Sequence, residues 1–355
     1  MVSKTFKKLL TIGFAIVLSA SLLTACGDVN PDKTLMKVDG EKVSLGLGNF
    51  YLRYQQATYE TYYGISEDSW SQNATEEETY EQTLKRDSLD TLKTLILERQ
   101  HMGDYKIKLT DEEKSKIKEA AKAYVKDNNR TAKEATSGDE DTVAEFLELQ
   151  TIQQKVEDAI QSKVDGNVTD EEAAQKKMQY VYFAFSSTDE SGNVTLMTEA
   201  EKQQVKKQAD QFAAKAKKQK DFKAYAGGQG MKVEEASFDK NSTEPDAALI
   251  KAALELKKGK TTGVIEGENG YYVAQLTSEM DREATDAKKE EIISERKQEA
   301  VTKQIKKWKK AAKIKVNKRQ WKKLSLTKQG IKIKQEEAAE DAATELRREI
   351  TMKHI

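Results

Sequence analysis

Proline is almost absent from this chain: only Pro31 and Pro245 occur in 355 residues. Because proline removes a backbone donor and clashes with the preceding helical turn, its scarcity leaves long helices uninterrupted. Charged residues make up 34% of the chain and hydrophobic residues 37%. The charged share is above the usual value of about 25%. These features predict an elongated, helix-rich protein with cores of modest size.

Helical periodicity dominates the first half of the chain, behind a predicted hairpin. Val38–Val43 has an Asp-Gly turn dipeptide between apolar residues, which predicts two short antiparallel strands. Four later segments have apolar residues at helical spacing. The predicted helices begin near Leu47, cover about 76–102, begin at Thr110 and cover about 142–164. Residues 128–141 are polar and contain glycine, so a loop is predicted there.

Two segments have the spacing of a helix-capping box. Thr110 precedes Glu113 by three residues, and Thr169 precedes Glu172 in the same way. In a capping box the two side chains bind free N–H groups of the first turn, so both segments are predicted to begin helices. The carboxylates also complement the helix dipole, and this role is favoured over acid–base chemistry.

The character of the sequence changes at Gln179. Gln179–Phe185 combines aromatic and β-branched residues and is the strongest strand prediction in the chain. A predicted helix, strand, short helix and strand follow at about 198–220, 233–238, 246–256 and 270–276. Together they have the size of one small α/β domain. A long helix at 284–312 and a strand at 313–316 are predicted to follow.

The N-terminus has the pattern of a secretory signal. Met1–Lys8 carries three lysines, and Leu9–Leu23 is almost wholly apolar. A transmembrane anchor needs about 20 apolar residues, more than this run provides. A buried core helix does not normally begin directly behind lysines. We therefore predict a cleavable signal peptide over residues 1–25.

The single cysteine lies directly after this segment. Leu23-Thr24-Ala25-Cys26 resembles the bacterial lipobox, in which the cysteine receives a diacylglycerol and the preceding peptide bond is cut. The resemblance implies that Cys26 is lipidated and begins a tether over 26–33. Each buried acyl CH₂ contributes about 0.8 kcal/mol to membrane binding. The implied location is the outer face of a bacterial cytoplasmic membrane.

Several kinds of chemistry lack the residues that they need. With Cys26 acylated, no thiol remains for a disulfide, a cysteine-based metal site or a nucleophile. His101 and His354 are the only histidines, so histidine-dependent metal and triad sites are not expected. Lys+Arg and Asp+Glu both number 60, so no global field favours nucleic acid. We expect no metal, no other cofactor and no nucleic-acid partner.

The order of elements resembles the SurA and PrsA type of extracytoplasmic foldase. The resemblance rests on KVDGEKVSLGLGNFYLRY, the two TDEE segments, the later strand–helix–GG–strand unit and AAKIKVNKRQWKKL. It implies an α+β protein in which a parvulin-like α/β domain (177–281) interrupts a helical SurA-like chaperone domain (34–176). A C-terminal helix and strand (282–327) complete the chaperone domain, and a charged tail (328–355) follows.

The inserted domain resembles parvulin peptidyl-prolyl isomerases at several motifs. These are Asp221-Phe222, Gly227–Gly230, Ala252–Lys260 and Gly270–Val273. Active parvulins have a histidine in the first strand, another in the last, and a Met/Phe pocket for the proline ring. Here Tyr272 occupies the second histidine position, Tyr182 lies in the first strand, Leu254 replaces the pocket phenylalanine, and Glu244 falls near the methionine position. The resemblance implies a degenerate catalytic site, with Tyr182 and Tyr272 as candidates for any remaining catalysis.

Apolar and aromatic side chains are the candidates for peptide binding. The candidate residues are Phe50, Tyr51, Tyr54, Phe183 and Leu254. The aromatic group that begins with Phe50, Tyr51 and Tyr54 fits one helical stripe only in part. Some of its rings are therefore expected to line a crevice. The alternative is that these rings form a core against Trp308 and Trp321.

The implied function is that of a membrane-anchored chaperone or foldase for unfolded secreted polypeptides. Transient binding would lower the free concentration of aggregation-prone chains. Two alternatives remain open, namely an active peptidyl-prolyl cis-trans isomerase and a scaffold or solute-binding lipoprotein. A homodimer also remains open.

Overall fold

The computed structural model describes residues 17–20, 29–188, 191–327 and 330–333. The chain is an α+β protein that divides into two compact units. The helical unit comprises Met1–Lys163 and Glu299–Ile355, and the sheet unit comprises Val164–Gln298.

The elements of the two units follow in chain order. The helical unit begins with β1 (Leu18–Ala20), β2 (Thr34–Val38), β3 (Glu41–Ser44), α1 (Leu45–Tyr62), α2 (Tyr80–His101), α3 (Asp111–Asp127), α4 (Arg130–Thr136) and α5 (Glu140–Gln161). The sheet unit has β4 (Lys176–Ala184), β5 (Ser186–Thr188), β6 (Val194–Leu196), α6 (Glu199–Ala216), α7 (Phe222–Gly228), β7 (Glu234–Phe238), α8 (Ala247–Leu254), β8 (Ile265–Glu266) and β9 (Gly270–Ser278). The last elements are α9 (Arg282–Ala311), which contributes residues to both units, and β10 (Ile314–Val316), α10 (Lys318–Trp321) and β11 (Ile331–Ile333) of the helical unit.

The compact sheet unit is larger than the predicted parvulin-like domain of 177–281, whose limits stay a prediction. Asp170 accepts a hydrogen bond of 2.6 Å from Arg282 and forms an ion pair with Lys289. These contacts join the segment before β4 to the first turns of α9. The sheet unit therefore extends from residue 164 to residue 298.

A three-stranded antiparallel sheet in the helical unit joins the two ends of the chain. Its strand order is β10-β2-β3, with Ile314 opposite Val38. The turn between β2 and β3 places Asp39 and Gly40 at φ values of 49° and 92°, which a two-residue hairpin of this type requires. The hairpin and the C-terminal strand are thereby confirmed.

Helix α1 supplies much of the core of the helical unit. Ser44 caps it by accepting a 3.0 Å hydrogen bond from the Leu47 N–H group. The Phe50 ring meets Tyr124 of α3 and Phe146 of α5 edge-on, with centroids 5.4 and 5.3 Å away. Burying a side chain of this size contributes about 1.5–3 kcal/mol. The apolar stripe predicted for this helix is therefore a core stripe.

Two local predictions are wrong. Residues 130–136 form α4 and not a loop, because Asn129 caps the Ala132 N–H group at 2.9 Å and Ala132 and Ala135 are buried. Thr169 accepts a hydrogen bond from the Glu172 N–H group at 3.2 Å, but only one turn forms. The other predicted capping box, Thr110 with Glu113, begins α3 as expected.

Strand β1 lies inside the predicted signal peptide. It pairs antiparallel with β11, which lies inside the predicted charged tail. Leu18 is buried in the helical core. Cys26 and most of the predicted tail lie outside the described residues. Within the described ranges, no helix combines the length and the apolar character needed to cross a bilayer.

Candidate functional site

The central strands of the sheet unit bring three tyrosines together. The sheet is antiparallel, with strand order β7-β4-β9-β8. Its register places Tyr182 of β4 directly opposite Tyr272 of β9, and the two rings stack with centroids 4.9 Å apart. Tyr180, on the same face of β4, lies 6.0 Å from Tyr272. We call Tyr180, Tyr182 and Tyr272 the tyrosine cluster.

Two glycines permit this close approach. A Cβ atom on Gly270 would overlap the Tyr182 ring and the Phe183 carbonyl oxygen. A Cβ atom on Gly267 would overlap the Tyr272 ring and the Asp246 carboxylate. Because glycine has no side chain, the backbone of both positions can lie directly against a ring.

The hydroxyl groups of the cluster are held in their protonated form. Burial raises the pKa of Tyr272 to about 12, with further contributions from Tyr182 and Asp246. Burial, followed by the charge of Asp246, raises the pKa of Tyr182. The Tyr182 hydroxyl donates a 2.6 Å hydrogen bond to the Asn269 carbonyl oxygen. At neutral pH these groups can donate hydrogen bonds, but they cannot act as general bases.

Exposure differs sharply within the cluster. Tyr182 is 39% exposed, whereas Tyr272 is 6% exposed. Tyr180 is half-buried, so Tyr182 is the most exposed member and offers its ring most readily to a polypeptide in solution. A tyrosine ring offers a flat apolar face for such contacts at low entropic cost.

The structure separates the other two candidates of the sheet unit. Leu254, at the end of α8, packs against the same hydrophobic cluster as Tyr272. Phe183 lies on the opposite face of β4, where it meets Phe212 edge-on at 5.9 Å. Because adjacent residues of a strand point to opposite faces, Phe183 and Tyr182 cannot belong to one surface.

Sequence reasoning missed Asp246. Its Oδ1 atom accepts a 2.8 Å hydrogen bond from Ala248 N, which caps α8, and its Oδ2 atom accepts one of 2.9 Å from Glu268 N. The carboxylate thus links α8 to the turn before β9, beside Tyr272. The available signal was an aspartate directly before the apolar residues of a short helix, which is typical of an N-cap.

The aromatic candidates of the helical unit are core residues. Phe50 is 2% exposed and Tyr51 5% exposed, while Tyr54 packs on Phe146 with centroids 5.4 Å apart. These rings pack on α3 and α5, and they lie in or against the core cluster that also contains Trp308 and Trp321. In this conformation Phe50 and Tyr51 have no exposed ring face, and the prediction that they bind peptide is not supported by their positions.

His101 lies near the end of the helix that is predicted for about 76–102. It is the last residue of α2, and its ring stacks on Trp308 with centroids 4.5 Å apart. Within the described residues, no group of three or more His, Cys, Asp or Glu side chains is placed to hold a metal ion.

Known proteins with similar sequences cover most of this chain. The model of the PPIC-type PPIase domain family matches residues 186–281. The foldase protein PrsA of Clostridium botulinum strain 657 is 26% identical over 331 residues, covering 88% of this chain and 98% of that protein. PrsA of the Loch Maree strain is 27% identical over 341 residues, with the same coverage. The chain is similar to PrsA-type foldases over most of its length, and its residues 186–281 match the parvulin-like PPIC-type PPIase domain family.

The region that matches the PPIC-type PPIase domain family includes only part of the tyrosine cluster. It begins at β5, so Tyr272 lies inside it, whereas Tyr180 and Tyr182 of β4 lie before it. Among solved structures, PrsA from Streptococcus pneumoniae matches with 21% identity and a TM-score of 0.30, covering 67% of this chain and 87% of that one. A score this low carries no structural argument.

Proposed function

We propose that this chain is a PrsA-type foldase that binds unfolded secreted polypeptides outside the cytoplasm, and that its parvulin-like domain is a binding module without imidazole catalysis. The observation that carries the proposal is the tyrosine cluster. It stands where the resemblance implies histidines, and one of its rings is open to solvent.

The chemistry of prolyl isomerisation allows this division between binding and catalysis. Rotation about the peptide bond has a barrier of about 18–20 kcal/mol and breaks no covalent bond. Catalysis requires contacts that are stronger in the twisted transition state than in the ground state. The Tyr182 hydroxyl already donates to the Asn269 carbonyl oxygen, and the Tyr272 ring is buried. The cluster therefore offers a stacking surface more readily than a hydroxyl aimed at a substrate amide.

An active isomerase is the second candidate. It is favoured by the exposure of Tyr182, whose protonated hydroxyl could exchange the Asn269 carbonyl for a substrate carbonyl. In that case Tyr182→Phe would remove most of the activity while leaving the ring in place.

One experiment separates the two candidates. The chain beginning at Gly27 is assayed for isomerisation of an Xaa-Pro peptide, for binding of the same labelled peptide, and for suppression of aggregation of an unfolded protein. We expect aggregation to be suppressed without catalysis. Tyr182→Ala should weaken peptide binding roughly 2- to 10-fold, the range that an aromatic contact supplies.

Tyr80→Ala is the matched control, because Tyr80 is 38% exposed and lies in the helical unit. It should leave peptide binding unchanged. Catalysis that is lost in Tyr182→Phe or Tyr272→Phe would establish the isomerase. If the protein shows neither catalysis nor suppression of aggregation, the foldase proposal is refuted.

Anchoring through Cys26 belongs to the same proposal and is supported by the lipobox resemblance. Cys26→Ala should either release the protein from membranes or leave an uncleaved precursor. Membrane fractionation with mass determination checks this. A variant that stays processed and membrane-bound like the parent would contradict lipidation.

A further inference from the structure

Strand β1 is a short extended segment held in a site that it would leave on processing. Leu18 is only 2% exposed, yet it lies within the predicted signal peptide, residues 1–25. The chain beside it is built from parts that processing would leave behind, namely β11, α4 and Asn128. Cleavage before Cys26 would therefore remove the occupant and keep the site.

Strand β11 is held in place from its other edge. Ile331 N donates to Glu60 Oε2 and Ile333 N donates to Thr61 Oγ1, both at 2.9 Å. Glu60 is itself fixed, since its Oε1 atom accepts hydrogen bonds from Trp70 Nε1 at 2.8 Å and Gln56 Nε2 at 2.7 Å. The position of β11 therefore does not depend on β1 alone.

The edge of β11 that faces β1 belongs to Lys332. Backbone groups of alternate residues point to opposite edges of a strand, so Lys332 directs its N–H and C=O groups away from α1. Its register partner on β1 is Ser19. We call the Lys332 backbone and the Asn128 side chain, which flank β1 on its two sides, the acceptor edge.

Asn128 lies across β1 from Lys332, because Leu18 and Ser19 direct their backbone groups to opposite edges of β1. Its Oδ1 atom accepts a 2.7 Å hydrogen bond from Leu18 N, and its Nδ2 atom donates to the Tyr124 carbonyl oxygen at 2.9 Å. The side chain is 3% exposed. The acceptor edge therefore binds backbone groups, which every polypeptide has, next to a buried position for one apolar side chain.

We propose that in the processed protein the acceptor edge binds an extended apolar segment of a client polypeptide as an antiparallel strand on β11. The inference rests on the proposed function and names where the helical unit takes its clients. Main-chain pairing supplies affinity that does not depend on client sequence, and the position of Leu18 selects an apolar side chain. In the uncleaved precursor the chain's own segment fills the site and keeps it closed.

The first test uses the chain's own segment as the probe. A fluorescein-labelled peptide with the sequence AIVLSASL, residues 15–22, is titrated against the chain beginning at Gly27 and against the uncleaved full chain carrying Cys26→Ala. Fluorescence anisotropy should show saturable binding to the first and at least 10-fold weaker binding to the second. The peptide with Leu18→Asp should bind at least 10-fold more weakly. Equal binding of the two peptides, or of the two proteins, would overturn the proposal.

A backbone variant tests the strand geometry. Lys332→Pro removes the N–H group at the acceptor edge and keeps the Ile331 and Ile333 N–H groups that hold β11 to α1. Lys332→Ala is its matched control, because it removes the side chain and keeps the N–H group. Peptide binding should fall at least 10-fold in the first variant only. Equal affinities would refute strand pairing, and the Leu18→Asp peptide arm decides the question if Lys332→Pro does not fold.

An aggregation assay on the same proteins separates this inference from the proposed function. Full suppression of aggregation by Lys332→Pro, with no binding of the AIVLSASL peptide to the parent, would refute the inference and leave the foldase intact. A size-exclusion profile in which a dimer of the Gly27 chain excludes the peptide would assign the edge to a second copy, and would also overturn the inference.

Discussion

The helical and sheet units contain similar aromatic groups but place them differently. In the helical unit, Phe50 is 2% exposed and its ring is enclosed by Tyr124 and Phe146. In the sheet unit, Tyr182 is 39% exposed although it stacks on Tyr272. A helix whose stripe meets two other helices covers its rings, whereas a strand can leave one ring of a stacked pair open. Aromatic residues close in sequence thus indicate a cluster, but not which side of it reaches solvent.

The largest effect is expected for Phe50→Ala, which tests the buried side of this comparison. Loss of a buried phenylalanine leaves a cavity and typically costs about 3–5 kcal/mol. The three tryptophans, Trp70, Trp308 and Trp321, all belong to the helical unit. Urea unfolding followed by tryptophan emission therefore reports on this unit, and its midpoint should fall sharply.

Tyr182→Ala is the control for Phe50→Ala. Since Tyr182 belongs to the sheet unit and is partly exposed, it should leave the tryptophan-monitored midpoint unchanged. Equal shifts from the two substitutions would mean that the units do not unfold separately, and the comparison between them would fail.

Local sequence patterns predicted most elements, because they carry their own signals. The Asp-Gly hairpin, the strand around Gln179 and the Thr110 capping box each depend on residues within a few positions. Helix α4 was missed because it has only seven residues and is held by the Asn129 cap and two buried alanines. At Thr169 the capping side chain is present, but no apolar stripe follows to bury a helix.

A buried carboxyl gives the helical unit a pH dependence. Glu98 of α2 is fully buried, and neither of its carboxyl oxygens has a hydrogen-bond partner among the described residues. Burial, with the charge of Glu157 adding to it and Lys309 opposing it, raises the pKa of Glu98 to about 8. The folded unit therefore keeps a proton that the unfolded chain releases near its ordinary pKa of about 4.3.

The sign of the effect follows from this difference in bound protons. Between the two pKa values the folded state binds one proton more than the unfolded state, so stability falls as pH rises. The slope is roughly 1.4 kcal/mol per pH unit. Urea midpoints from tryptophan emission at pH 5, 6.5 and 8 should decrease in the parent.

Glu98→Gln keeps the size of the side chain and removes the titration. Its midpoints should vary much less over the same pH range and should exceed those of the parent at pH 8. A parent whose midpoint rises from pH 5 to pH 8 would contradict the assignment to Glu98.

The candidate site was predicted less completely than the fold. Tyr182 and Tyr272 were found through the parvulin resemblance, and their pairing follows from the antiparallel register of β4 and β9. The role of Asp246 was not predicted, because its hydrogen bond with Glu268 joins residues that lie 22 positions apart in the sequence. The burial of Phe50 depended on α3 and α5, which lie far along the chain, so the sequence left core and crevice as alternatives.

The smallest expected effect concerns the backbone beneath the tyrosine cluster. Gly270→Ala places a methyl group against the Tyr182 ring and the Phe183 carbonyl oxygen. The ring can rotate away, but the carbonyl belongs to β4 and can only move with the strand. Overpacking of this kind costs about 1–3 kcal/mol. Hydrogen exchange of the β4 and β9 amides should accelerate, while the tryptophan-monitored midpoint of the helical unit stays constant.

Gly227→Ala is the matched control for Gly270→Ala within the sheet unit, because no atom lies within 4 Å of its added Cβ. Alanine in helix α7 should leave exchange in β4 and β9 unchanged or slower, since alanine favours a helix over glycine by about 1 kcal/mol. If the β4 and β9 amides of Gly270→Ala exchange at the same rate as those of this control, the two strands can move apart without a cost in stability. The stacking of Tyr182 on Tyr272 would then not depend on a fixed spacing of the strands, and the Tyr182 ring would not be a rigid binding surface. If exchange accelerates only in Gly270→Ala, the position of the exposed ring is set by the backbone beneath it, as the helical core sets that of Phe50.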